Sequence, residues 1–157
     1  MERLSWTEYF SLQAVIASSR STCERAYVGA VIVKNKRVIA TGYNGSVHSD
    51  DHCIDVGHHL IEGHCVRTVH AEVNAITQCA KYGIETDDSE LFVTHFPCLN
   101  CTKSLIQAGI TKVNYLNDYR VDEYAKELLT KANIELNKVE LKESYLKINN
   151  VIDELLQ

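Results

Sequence analysis

The sequence is poor in residues that interrupt regular structure. It has one proline and seven glycines in 157 residues, which excludes collagen-like and low-complexity chains. Its 45% hydrophobic and 24% charged content also places it outside the disordered class. No apolar run approaches the roughly 18 residues of a membrane span, so no membrane association is expected. The stretch from Met1 to Glu8 lacks the apolar segment of a signal peptide, and a cytoplasmic location is expected. Positive charge is scarce. The net charge of −5 argues against broad binding to a nucleic-acid backbone, although a small anion held by two or three local cations stays compatible. The length predicts one domain over 1–157, since domains run to about 150 residues.

Cysteine and histidine are in surplus. There are six cysteines and seven histidines, and six of the histidines (His48, His52, His58, His59, His64 and His70) fall within 23 residues. In a reducing compartment this composition points to metal ligands or buried inert thiols rather than disulfides.

Ser5-Trp6-Thr7-Glu8 reads as a capping box that opens a helix to about Ser19. The β-branched run Val28–Val33, a tight turn at Asn35-Lys36 and the run Arg37–Tyr43 predict an antiparallel hairpin. Residues 45–69 have no clear period, and an irregular stretch of that length is usually functional or tied down. A helix over 71–82, closed by Gly83, precedes a strand over 91–94. A helix over 98–108, closed by Gly109, precedes a strand over 113–116. A helix over 121–132 and a strand over 134–139 follow. Leu146, Val151, Ile152, Leu155 and Leu156 suit an amphipathic terminal helix, packed on its own sheet or in an oligomer interface. A hairpin followed by strand–helix units predicts an α/β fold: a three-layer α-β-α sandwich around a mixed five-stranded sheet, plus the C-terminal helix.

The chemistry concentrates in two segments. His70-Ala71-Glu72 is followed by Pro97-Cys98-Leu99-Asn100-Cys101, the H-x-E…P-C-x-x-C signature of zinc deaminases. Cys98 and Cys101 are three apart, so at a helix start both thiols share one face. The partial positive charge of a helix N-terminus favours their thiolates, and Pro97 suits a helix entry. His70 and Glu72 are two apart, which in a helix separates them by about 200°. Both reach one pocket only if His70 sits at the helix entrance, so two helix N-termini should converge on one zinc. Three protein ligands leave a fourth position for water, the pattern of a catalytic site. Glu72, beside the metal but not bound to it, is the candidate proton carrier.

With these motifs the sequence resembles the cytidine/deoxycytidylate deaminase superfamily, and within it the dCMP deaminase branch of bacterial late-competence type. The likeness covers roughly residues 5–141. It rests on Arg20-Ser21-Thr22-Cys23, Val28–Val33, Gly42-Tyr43-Asn44-Gly45, His64–Glu72, Val93–Cys101 and Asp118-Tyr119. The resemblance implies a cytidine deaminase-like fold, a zinc on His70, Cys98 and Cys101, and Glu72 as proton shuttle. It implies that the Ala71 N–H receives the pyrimidine 2-oxo group, Asn44 bonds the deoxyribose, Val28 and Gly29 line the base, and Tyr119, Arg25 and Arg20 meet the phosphate. It further implies hydrolysis of dCMP to dUMP and ammonia for dTMP synthesis, a homo-oligomer (commonly a hexamer), and in some relatives control by dCTP with magnesium and by dTTP. Relatives can carry a second, structural zinc. Here Cys23, Cys53 and Cys65, with His58 or His64 as fourth ligand, would tie down the insertion at 45–69.

Other readings stay open. His48, His52 and His59 are expected at the surface and Cys79 in the core. The substrate could instead be free cytidine, a tRNA adenosine or a riboflavin-pathway pyrimidine. Negative charge weighs against tRNA, while Tyr119 and the Arg20/Arg25 pair weigh for a 5′-phosphate. A non-catalytic, zinc-stabilised competence accessory module is the alternative outside enzymes, against which Glu72 argues.

Overall fold

Helix α1, Trp6–Ser18, starts where its side chains satisfy the free N–H groups of the first turn. The Glu8 N–H donates to Ser5 Oγ (3.2 Å), and the Ser5 N–H donates to Glu8 Oε2 (2.7 Å). Strands β1 (Gly29–Lys34) and β2 (Arg37–Tyr43) then form the expected hairpin. Asn35 and Lys36 between them both have positive φ, 51° and 58°, as a two-residue hairpin turn matching strand twist requires. The computed structural model describes residues 3–157; Met1 and Glu2 lie outside it.

The aperiodic stretch resolves into short pieces. Strand β3 (Gly45–Ser46) and helix α2 (Cys53–Val56) come first, followed by β4 (Leu60–Ile61), β5 (His64–Cys65) and β6 (Thr68–Val69). β3 pairs with β6, and β4 with β5. Helix α3 (Ala71–Tyr82) ends on Gly83, whose φ of 66° is the left-handed cap glycine allows. Strand β7 (Ser89–His95), helix α4 (Leu99–Gln107), strand β8 (Ile110–Asn117), helix α5 (Glu123–Lys131), strand β9 (Glu135–Lys138) and helix α6 (Lys142–Leu155) complete the order. The main sheet is mixed, in the order β2-β1-β7-β8-β9. β1 is antiparallel to β2 and β7, while β7, β8 and β9 run parallel.

Alternation along β1 and β7 builds the three layers. Val31, Val33 and Phe92 face one way, onto Phe10 and Ala14 of α1. Ala30, Ile32, Leu91 and Val93 face the other, onto Ala71, Ala75 and Cys79 of α3, Leu105 of α4 and Leu129 of α5. A strand buried on both faces reads as a continuous apolar run, as Gly29–Val33 does. Two glycines let helices close on this sheet. A Cβ on Gly29 would lie 2.1 Å from the Ala14 carbonyl oxygen, and one on Gly42 2.1 Å from that of Ala71.

Two sequence expectations need correction. Strands β7 and β8 are longer than the apolar runs that revealed them, because they carry buried polar residues. Ser89 and Asn114 are fully enclosed, and Asn114 Nδ2 donates to the Leu91 carbonyl (3.3 Å). Of the two expected settings for helix α6, packing on its own sheet is the one not seen: Leu146 and Leu155 are 60% and 78% exposed, and Ile148 and Val151 are half-buried. Its buried contact is polar. Ser144 Oγ donates to Glu8 Oε1 at 2.7 Å, and Lys147 Nζ lies 3.4 Å from the same oxygen.

Glu8 thereby joins α6 to α1, and the Ser144 hydroxyl and both Ser5 donors lower its pKa from 4.5 to about 2. Its stabilising contribution should be complete above pH 4.5 and fade as pH falls through 2. Urea titrations of Glu8→Gln against the parent should differ by about 1 kcal/mol at pH 7, allowing for partial exposure. The difference should disappear near pH 2.

Candidate active site

Helices α3 and α4 begin close enough together for the residues at their starts to touch. His70 is the N-cap of α3, in extended conformation (φ −67°, ψ 150°). Cys98 is the N-cap of α4, and its sulfur accepts the Cys101 N–H at 3.5 Å. Pro97 precedes this cap rather than opening the first turn, so it directs the entering chain. From these two starts, His70 Nδ1 meets Cys98 Sγ at 3.5 Å and Cys101 Sγ at 3.4 Å. Ordinary Zn–S and Zn–N bonds at tetrahedral angles separate S and N by about 3.5 Å. The donors therefore fit a single zinc-sized cation, and the three residues form one cluster that could hold a metal ion.

Electrostatics suit such a role. The Cys98 thiol is held down to about 4 by the Cys101 thiol, by His70 and by the Cys101 N–H. Cys98 and burial push Cys101 far up, so the two share one easily lost proton. Glu72, one turn-step into α3, is 4% exposed. Burial pushes its carboxyl above the usual carboxylate range, the direction a group needs to exchange protons near neutrality.

A second cluster lies across the cleft. Cys23, Cys53, His58 and Cys65 have ligand atoms all within 4.8 Å of one another. Cys53 and Cys65 sulfurs are 3.7 Å apart, and Cys23 Sγ is 3.8 Å from His58 Nδ1. Two sulfurs on one tetrahedral zinc would be about 3.8 Å apart, so this donor set also fits. His64 is not in the cluster; it lines the cleft instead. All six cysteines are free thiols. His48, His52 and His59 are exposed, and Cys79 is fully buried.

The cleft between the clusters has a volume of about 750 Å3. Val28, Asn44, His64, His70, Glu72, Cys98 and Tyr119 line it, with Arg25 at its rim donating to the Gly63 carbonyl (3.0 Å). Cys23 and Cys65 of the second cluster also form part of its wall. Three expected residues are placed elsewhere. Arg20 is exposed and outside the cleft. Gly29 is packed beneath α1, with its N–H donating to Thr94 Oγ1 (3.1 Å). Ala71 is buried, and its single N–H donates to Asn44 Oδ1 (3.0 Å). Asn44 Nδ2 in turn donates to the Ala26 carbonyl (3.1 Å), leaving one lone pair and one N–H for a ligand.

Sequence reasoning gave no role to His95 and Arg120, which also line the cleft. Their signal was positional. β7 and β8 are parallel and adjacent, ligands in open α/β sheets bind beyond the carboxyl ends of strands, and both residues lie at those ends.

A buried carboxylate beside a three-donor Cys/His cluster, at the mouth of a cleft on an α/β sandwich, defines the class of metal-dependent hydrolytic centres. Residues 4–117 match the cytidine and deoxycytidylate deaminase zinc-binding region, and the chain belongs to that family. It is 51% identical over 150 residues to ComE operon protein 2 of Bacillus subtilis (strain 168), covering 96% of this chain and 79% of that one. It is 37% identical over 138 residues to the deoxycytidylate deaminase of Saccharomyces cerevisiae, covering 84% of this chain but 44% of that protein. The dCMP deaminase of cyanophage S-TIM5, solved in complex with dCMP and dUMP, superposes with a TM-score of 0.77 at 34% identity. That match covers 88% of this chain and all (100%) of the phage chain. The cytidine deaminase-like fold implied by the sequence is thereby shown.

Removing the Asn44 side chain should strand the buried Ala71 N–H at the start of α3. Asn44→Ala is expected to lower unfolding free energy by about 1–3 kcal/mol, read by denaturant titration. Asn44→Asp, which can still accept that N–H, should lose less.

Proposed function

We propose that this chain hydrolyses dCMP to dUMP and ammonia, in the service of dTMP synthesis. The observation that carries the reading is the convergence of His70, Cys98 and Cys101 beside the buried Glu72. The phage relative that binds dCMP and dUMP supports the choice of nucleotide. A zinc ion with three protein ligands and one open position would lower the pKa of water to about 7 and so supply a nucleophile at neutral pH.

The chain's own residues do the rest. Glu72 takes the proton of the attacking water and gives it to N3 of the ring. It then takes the proton of the new C4 hydroxyl and delivers it to the 4-amino group as the C4–N bond breaks and ammonia leaves. The carbonyl that remains makes the product a uracil. Val28 packs against the base, and the free half of the Asn44 amide meets the sugar hydroxyl. Because the Ala71 N–H already serves Asn44, contact with the pyrimidine 2-oxo group requires it to share that bond. Tyr119 and Arg25 take the 5′-phosphate, a role that suits the planar guanidinium fork. Arg120 joins them on position in place of Arg20.

The same proposal gives the Cys23, Cys53, His58 and Cys65 cluster a structural zinc, which clamps the insertion at 45–69 within one domain spanning 1–157. Burial and the neighbouring Cys65 push Cys53 up to about 12, so a cation is the partner that would release its proton. Among the described residues no helix is long and apolar enough to cross a membrane, consistent with work in the cytoplasm. Exposed apolar residues on α1 and α6, such as Trp6, Tyr9 and Leu155, support a homo-oligomer, the hexamer being the form the resemblance implies. Control by dCTP with magnesium and by dTTP rests on the resemblance alone.

Turnover of dCMP, CMP, deoxycytidine and dCTP by the purified chain tests the substrate. Preference for the unphosphorylated nucleoside would remove the assignment. Glu72→Gln should keep its metal while deamination falls by about 100-fold or more; retained activity would exclude the proton-carrying role. Metal analysis should find two zinc per chain and one in Cys53→Ser, whereas no change in that variant would discard the second site.

A further inference from the structure

His95 lines the cleft, yet neither cluster nor the proton path uses it. Its ring is oriented from behind. The Gly29 N–H donates to Thr94 Oγ1 at 3.1 Å, and the same oxygen lies 2.8 Å from His95 Nδ1. Thr94 is 4% exposed. Its hydroxyl has one hydrogen to give, and Nδ1 is the acceptor that the geometry offers. We assign the O–H as the donor to Nδ1, which places the hydrogen of the neutral imidazole on Nε2, away from Thr94. Partial burial acts in the same direction, lowering the ring's pKa from its ordinary value.

The ring also meets Tyr119 edge to face, with centroids 5.6 Å apart at 84°. The Arg120 guanidinium carbon lies 5.2 Å from the Tyr119 ring centre. Of the carboxylates nearby in sequence, Asp118 is paired with Lys138, and Asp122 is engaged as the N-cap of α5, accepting the Ala125 N–H at 2.9 Å. His95, Tyr119 and Arg120 thus form one contiguous part of the cleft lining, made of donors and a cation. An N–H beside an aromatic ring that itself carries a guanidinium is suited to an oxyanion, not to an exocyclic amine.

We propose that His95 determines specificity for the phosphorylated substrate: its Nε2–H donates to a 5′-phosphate oxygen, and its ring holds Tyr119 at the same end. The inference rests on the nucleotide reading above and adds the residue that enforces it.

The test is steady-state kinetics on dCMP and deoxycytidine for the full chain, with metal content and melting temperature measured for each variant. In His95→Phe the ratio of kcat/KM for dCMP to that for deoxycytidine should fall at least about tenfold, as expected for a hydrogen bond to a charged group. The loss should appear in KM for dCMP. His95→Gln, whose amide can place an N–H near the Nε2 position, should restore part of the ratio. Should His95→Phe fail to fold, Thr94→Val, which keeps the imidazole but releases Nδ1, should lower the same ratio to a smaller extent. An unchanged ratio, or an equal fall for both substrates, overturns the proposal while leaving the nucleotide reading intact. A parent protein that does not turn over dCMP overturns both.

Discussion

Two sulfurs, each within 3.5 Å of a single imidazole nitrogen, are the constraint on which the site depends. At those separations the three groups cannot all carry their own protons comfortably; a cation in their midst resolves the crowding. Each donor is placed by a helix beginning rather than a helix body. His70 caps α3 and Cys98 caps α4, so the chain is extended up to the ligand and helical after it. That arrangement leaves Glu72 inside the first turn of α3, buried and aimed at the same space.

The sheet then determines how close those helices come. Gly42 of β2 lets α3 settle where any side chain would strike the Ala71 carbonyl, and Asn44, two residues on, reaches the Ala71 N–H. The end of β2 and the residue that follows it thus fix both the depth of α3 and the orientation of its first peptide. On the opposite face Gly29 does the same for α1, and its N–H also steadies Thr94. Core packing and site geometry are therefore consequences of the same backbone contacts.

Much of this was legible in the sequence. A β-branched run buried on both faces, a turn at Asn35-Lys36, a capping box and a helix-ending Gly83 are local signals, and each formed as the residues suggested. The Cys/His spacing revealed the first cluster because its ligands sit at helix starts with fixed offsets. The second cluster was legible only as a surplus, since Cys23, Cys53, His58 and Cys65 come from four separate turns and pieces. What stayed hidden depends on pairings distant in sequence. Nothing in a periodic pattern says that Asn44 will occupy the Ala71 N–H, that His95 will lean on Tyr119, or that α6 will attach through Ser144 and Glu8 while its leucines face outward.

The cluster that joins Cys23 to the insertion and the cleft have a wall in common, because Cys23 and Cys65 belong to both. Thermodynamic linkage makes such an arrangement a two-way affair. By whatever factor an ion seated among those residues tightens a guest in the cleft, that guest tightens the ion in equal measure. The stretch that reads as aperiodic in the sequence is thus also part of the cleft, since Cys65 serves both.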